Sequence, residues 1–130
     1  MKILALDLGE KRIGVAFAED DVISSLDTIT YTNREEAINR ISEICRQIEV
    51  DKMVIGMPVG NDQSEDVVRS FALELNKIVE LPIEYTDESL TSKEAERILK
   101  DKKINPRTKE YKQEIDRLSA KMILEQYLNQ

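Results

Sequence analysis

Histidine and tryptophan are absent from this chain, cysteine occurs once, at Cys45, and only four glycines and three prolines interrupt its 130 residues. Without an imidazole there is no Ser-His-Asp type of triad, and without a second thiol or any histidine there is neither an intramolecular disulfide nor a zinc site of the Cys/His kind. Any hydrolytic chemistry must rest on carboxylates, lysine, hydroxyls or a bound cation. Cys45 lies at helical spacing with Ile38, Ile41, Ile44 and Ile48, which reads as core packing, and it is given no chemical role. No apolar run approaches the length of a membrane span, and no basic region followed by an apolar stretch and a cleavage site opens the chain. The expectation is a soluble, cytoplasmic protein with no membrane partner.

The composition, 41% apolar and 35% charged, is that of a globular chain rather than a disordered one. Its length suits a single domain over residues 1–130, enough for a sheet with helices packed on it and too little for two lobes. The formal charge of −7 argues against nonspecific coating of nucleic acid, since phosphate affinity comes largely from lysine and arginine displacing counterions. The charge is uneven, however. Residues 1–99 carry a balance of −10, whereas residues 100–121 carry +4, a basic segment able either to grip a local stretch of backbone or simply to be a solvated face.

Ile3–Leu8 reads as a central strand, apolar on both faces. Gly9 permits a tight turn, Ile13–Ala18 returns antiparallel, and a third strand lies within Val22–Tyr31, so the chain opens with a three-stranded meander. Asn33-Arg34-Glu35-Glu36 has capping-box spacing ahead of a helix with Ala37, Ile38, Ile41, Ile44, Cys45 and Ile48 on one face. Lys52–Gly56 is a short strand that the run from Gly56 to Gly60 should break into a loop. A second helix follows Ser64, with Val67, Val68, Phe71, Leu75, Ile78 and Val79 as its apolar positions, and Pro82–Thr86 makes a fifth strand. Thr91-Ser92-Lys93-Glu94 is a second capping box, opening a helix that Asn105-Pro106 stops. A last helix spans Lys109–Leu128, with Ile115, Leu118, Met122 and Ile123 facing inward. Three antiparallel strands followed by right-handed crossovers give an α/β fold, a five-stranded mixed sheet in the order 3-2-1-4-5 with helices on both faces.

That order places Asp7 at the end of the middle strand, near the ends of strands four and five, where ligands of open α/β sheets gather. A second acidic pair, Asp87-Glu88, ends the fifth strand. Asp116 lies on the last helix on a face with Ser119, Ala120 and Ile123, whose small residues allow close approach to a sheet. Three acids from distant parts of the chain, meeting at one sheet edge, suggest a site for a hard cation, Mg²⁺ or Mn²⁺, which takes oxygen ligands. Asp7, Glu88 and Asp116 are the candidate ligands and catalytic groups. Asp87 is the less certain member of its pair, because neighbours on a strand point to opposite faces. Gly9, Lys11 and Arg12, in the turn after Asp7, are placed to hold a substrate phosphate.

Four segments carry a family resemblance: Asp7-Leu8-Gly9-Glu10-Lys11-Arg12-Ile13-Gly14-Val15-Ala16, Val54-Ile55-Gly56-Met57-Pro58, Asp87-Glu88-Ser89-Leu90-Thr91-Ser92, and the stretch from Asp116 to Leu128. In order and spacing they resemble the signature blocks of the YqgF family, also called RuvX, and they span almost the whole chain. The resemblance implies an RNase H-like fold and a nuclease that processes the 5′ end of the 16S rRNA precursor in ribosome biogenesis. An older inference for the family is a Holliday junction resolvase, from similarity to the RuvC resolvases. The family acids fall on Asp7, Glu88 and Asp116. Three departures stand out: Ser89 occupies the position of a usual arginine, Asp62-Gln63 stands where Asp-Gly is common, and Ser119-Ala120 replaces Ala-Ala.

Three readings follow. The first is a metal-dependent endonuclease acting on pre-16S rRNA as a monomer or weak homodimer. The second is a resolvase of branched DNA, which needs a dimer with two sites. In the third, non-catalytic reading the domain binds RNA or a transcription factor. ATPases of the actin and sugar-kinase type also begin with an Asp-x-Gly turn, but they enclose nucleotide between two lobes.

Overall fold

The computed structural model describes residues 1–88 and 91–130, the side chains of residues 91 and 92 excepted. Among the described residues nine elements follow in chain order: β1 (Lys2–Leu8), β2 (Arg12–Glu19), β3 (Val22–Thr30), α1 (Arg34–Ile48), β4 (Lys52–Met57), α2 (Asp62–Val79), β5 (Ile83–Asp87), α3 (Thr91–Asp101) and α4 (Lys109–Leu128). The five strands form one sheet in the order β3-β2-β1-β4-β5. β1 pairs antiparallel with β2 and parallel with β4, and β4 is parallel to β5. The expected meander, crossovers and strand order are all present.

The alternation of side chains along the central strands assigns the helices to faces. Leu4, Leu6, Ile13, Val15, Met53 and Ile55 point to one side, where they form a core with Ile38 and Ile41 of α1 and Val68, Phe71 and Leu75 of α2. Ile3, Ala5, Ala16, Ala18 and Val54 point to the other, against Ala120, Ile123 and Leu124 of α4. Each large aliphatic side chain on the first face contributes roughly 1.5–3 kcal/mol on burial. Most of the hydrophobic stabilisation therefore sits under α1 and α2. The second face is half alanine, which lets α4 lie close to the sheet and makes its seating depend on shape.

Several local expectations need correction. α2 begins at Asp62, capped by Asn61, rather than after Ser64. Its inward face is Val68, Phe71, Ala72 and Leu75, while Val67 and Ile78 are exposed at 55% and 58%; the apolar positions of α2 are too many for one stripe, and the surplus faces water. β4 runs to Met57, so buried Gly56 lies inside the strand instead of breaking it. In α4 the deeply buried residues are Ser119, Ala120, Ile123 and Leu124, whereas Ile115, Leu118 and Met122 are only half buried. Asn33 caps α1 as expected, accepting from the Glu36 amide at 2.8 Å. Glu36 reaches one residue further back than a capping box requires, accepting from the Thr32 hydroxyl at 2.9 Å. The capping box proposed at residues 91–94 lies in part outside the described residues.

α4 is fixed at its C-terminal end by a polar lock. Lys52 Nζ donates to Glu84 Oε2 at 2.7 Å and to the Tyr127 hydroxyl at 2.6 Å, and Tyr127 in turn donates to Glu84. Along the buried side of α4, the Ser119 hydroxyl has no hydrogen-bond partner among the described residues. An unpaired buried hydroxyl costs on the order of 1–3 kcal/mol. Ser119→Ala is therefore expected to leave the melting temperature unchanged or to raise it by a few degrees in calorimetry, about 1 kcal/mol of gain. A clear loss would mean that the hydroxyl has a partner.

Candidate active site

Asp7 follows Ile3 and Ala5 in the two-residue alternation of β1 and so falls on the α4 side of the sheet. Glu88 is brought there by the same rule from another strand. Glu84 bonds α4 through Tyr127, and Thr86 Oγ1 accepts from Gln130 beyond the end of α4, so the next position in step is Glu88. The backbone confirms the placement: the Glu88 amide donates to the Met57 carbonyl at 3.1 Å. Asp87 pairs with Met57 in the ladder and is exposed. The alternation thus separates the acidic pair, with Glu88 turned to the site and Asp87 out of step with it.

Asp7 and Glu88 are hydrogen-bonded to each other through their side chains. Two carboxylates in contact cannot both be ionised at ordinary cost. Burial raises the Asp7 carboxyl above its usual range, the bond from Glu88 offsets part of this, and the charge of Asp116 adds to the rise. Glu88 is pushed up to about 8, first by burial, then by the hydrogen bond to Asp7 and by the charges of Asp7 and Asp87. Both carboxyls are thus held above their usual range, and the contacting pair keeps a proton between its two members near neutral pH.

Asp116 comes to the same region from α4, its side chain 14% exposed, and accepts a 2.7 Å hydrogen bond from Arg12 Nε. This is the donor that a half-buried helix acid requires. Arg12 was expected to hold a substrate phosphate and is here engaged with Asp116. Lys11 is exposed in the turn. Gly9 anchors that turn, its amide donating to the Arg12 carbonyl at 2.9 Å and its carbonyl accepting from the Tyr31 hydroxyl. Ser89, the position of the usual family arginine, lies outside the described residues.

Two glycines decide whether these groups can meet, and neither was singled out for this in the sequence. A Cβ on Gly14, which pairs with Asp7 across the β1–β2 ladder, would strike the backbone carbonyl of Asp116. A Cβ on Gly56 would stand 2.5 Å from Glu88 Oε2 and 2.6 Å from Ile123 Cδ1. The signal was available in the series Ala18, Ala16, Gly14 at two-residue steps, which tapers toward the acids. Such a taper marks where another backbone presses on a strand.

As placed, the acids form a contacting pair and a third member held aside. Among the described residues no three Asp or Glu side chains are gathered tightly enough to coordinate one ion. The cause is electrostatic: Asp7 and Glu88 relieve their repulsion with a proton, and Asp116 relieves its own with Arg12. The donor chemistry fits a hard divalent cation, since all three groups are carboxylates and the chain has no histidine. A cation would take over the neutralising role that the proton and Arg12 fill here.

Comparison with known proteins fits this architecture. Residues 1–130 match the family described as RuvX, Holliday junction resolvase. A relative from Syntrophus aciditrophicus, named "Putative pre-16S rRNA nuclease", is 39% identical over 99% of this chain and 89% of its own. A protein of the same name from Crocosphaera subtropica is 39% identical over 98% of this chain and 92% of its own. Among solved structures, Thermus thermophilus RuvC in complex with a Holliday junction substrate superposes with a TM-score of 0.64 at 12% identity, over 99% of this chain and 95% of that one. The ROK hexokinase of Thermus thermophilus shares the fold with a TM-score of 0.51 at 18% identity, over 76% of this chain but only 38% of its own. The fold is the RNase H-like one shared with RuvC, and with a match across all 130 residues the chain belongs to the RuvX family.

Proposed function

We propose that this protein is a metal-dependent endonuclease that hydrolyses phosphodiester bonds near the 5′ end of the 16S rRNA precursor, with Asp7, Glu88 and Asp116 as its catalytic and metal-binding groups. The observation that carries the reading is the contacting Asp7–Glu88 pair, set opposite Asp116 on the α4 side of the sheet. A buried pair of acids that must share a proton to coexist is costly to the fold, and it is suited to a cation the fold does not itself supply. The names carried by relatives across the family supply the substrate.

Mg²⁺ or Mn²⁺ bound there would activate water and stabilise the leaving oxygen of an in-line displacement. The chain's own residues prepare for this. Asp7 and Glu88 present oxygens once their shared proton is released, and Arg12 holds the Asp116 carboxylate in place through its 2.7 Å hydrogen bond. Lys11 and the turn at Gly9 lie beside the acids, where a substrate phosphate adjoining the cleaved bond would rest. Water held by the cation would be the attacking group, so no covalent enzyme intermediate would form.

The test is cleavage of a labelled precursor RNA spanning the 5′ end of 16S rRNA, run beside a four-way DNA junction in Mg²⁺ and in Mn²⁺. Cleavage of the RNA, reduced at least about 100-fold by Asp7→Asn, is the expected result; the loss of groups that merely support metal ligands already costs 10–100-fold. Unchanged cleavage by Asp7→Asn would show that the site is elsewhere. Paired symmetric cuts in the junction would establish instead the resolvase activity in the family's description, and with it a dimer rather than the monomer or weak homodimer proposed here.

A further inference from the structure

We infer that a basic cavity beside the acidic site is the track for the sugar–phosphate backbone of the RNA strand entering it. The cavity, about 620 Å³, opens between the β1–β2 turn, β3 and the start of α4. Six cations line it: Lys11, Arg12, Arg107, Lys109, Lys112 and Arg117. They come from two segments nearly a hundred residues apart, and the fold gathers them in a protein whose formal charge is −7.

Two of the six are neutralised within the protein. Arg12 is bound to Asp116, and Arg117 pairs with Glu114 at 3.1 Å and with Asp27 at 3.5 Å. The other four have no acidic partner among the described residues. Their placement also runs against local stability. Lys109 and Lys112 occupy the first turn of α4, capped by Thr108, where the helix dipole favours acids and disfavours cations. Four unpaired cations, two of them on the unfavourable end of a helix, call for an external polyanion.

Arg12 lines this cavity and also holds Asp116, so a strand lying in the cavity leads into the acids. Arg107, Lys109 and Lys112 belong to residues 100–121, the segment whose charge balance is +4 in an otherwise acidic chain. A single strand fits better than a duplex, because the cavity is local and a chain with a formal charge of −7 offers a second backbone net repulsion. The identity of the strand rests on the nuclease reading above; the track itself does not.

The experiment is fluorescence anisotropy of a labelled 12-nucleotide single-stranded RNA with the full chain, in EDTA so that no cleavage occurs, across a KCl series. The triple variant Arg107→Gln, Lys109→Gln, Lys112→Gln is compared with the charge-matched Arg40→Gln, Arg46→Gln, Lys77→Gln, whose positions lie on α1 and α2 across the sheet. The first is expected to raise Kd at least about tenfold and to make the slope of log K against log salt shallower by about 2, the release expected for three phosphate contacts on a single strand. The second should stay within about twofold of the wild type. Equal weakening by both triples, no weakening by either, or no binding by the wild type would each overturn the track. So would a four-way DNA junction that binds more tightly than the RNA and depends on the same three cations. Cleavage by Asp7→Asn is scored separately, so failure of the nuclease site and failure of the track give different results.

Discussion

Glu88→Gln is expected to abolish metal-dependent cleavage and at the same time to stabilise the metal-free protein at pH 8. The two effects have one cause. In the folded, cation-free chain Glu88 keeps its proton up to about pH 8, because it is buried and bonded to Asp7, whereas in the unfolded chain the same carboxyl ionises near 4.5. Below pH 4.5 the group is protonated in both states and its favourable contact with Asp7 is fully present. Between these values the unfolded state has released a proton that the folded state still holds, so stability falls as pH rises and is lost by about pH 8. Glutamine cannot ionise, and its amide can donate to Asp7 at every pH, as the protonated acid does only below about pH 8.

The melting temperature of metal-free wild type should therefore drop as pH rises from 5 to 8. That of Glu88→Gln should change less over the same range and exceed the wild type by roughly 5 °C at pH 8. Adding Mg²⁺ should reverse the order, since only the wild type offers the carboxylate, and the metal's advantage should weaken as pH falls below about 8 because the cation must displace the proton. Cleavage by the variant should fall by more than about 100-fold. Scanning calorimetry in EDTA and in Mg²⁺ at several pH values reads all of this. A Glu88→Gln protein less stable than the wild type at pH 8 in EDTA would show that the two acids do not share a proton.

The strand order, with helices on both faces, was legible because the central strands are long apolar runs and the first turn is short. Ile3–Leu6 leaves a carboxylate at Asp7 with only one direction to point. Glu88 was preferred to Asp87 in the sequence because neighbours on a strand point to opposite faces; which of them faces the last helix follows only from Glu84 and Thr86, whose side chains meet Tyr127 and Gln130 and are in step with Glu88. The engagement of Arg12 with Asp116 was hidden for another reason. It joins residues 104 positions apart, and nothing in a turn sequence distinguishes an arginine awaiting phosphate from one already held. The surplus apolar residues of α2 misled in the ordinary way, since exposed Val67 and Ile78 look like core when read by spacing alone.

The seating of α4 is where stability and the site meet, and Gly14→Ala probes it. The added methyl group would enter the space of the Asp116 backbone carbonyl, carbonyl carbon and Cα. A flexible side chain could swing away, but a helix backbone moves only with the helix. α4 cannot slide freely, because Tyr127 is locked to Lys52 and Glu84 at its far end. Ala5, Ala16, Ala18 and Val54 offer it a shallow surface that repacks poorly when the helix lifts. Overpacking of this kind costs typically 1–3 kcal/mol and occasionally more, and contact with backbone places this case at about 3 kcal/mol, a fall in melting temperature of roughly 10 °C. Because Asp116 is the residue displaced, cleavage should fall about 100-fold even at temperatures where the variant is fully folded, the scale of loss for a misplacement of about 1 Å. Calorimetry and the RNA cleavage assay at 20 °C separate the two effects. Full activity in a destabilised Gly14→Ala protein would mean that Asp116 need not sit where α4 holds it, and would remove Asp116 from the site.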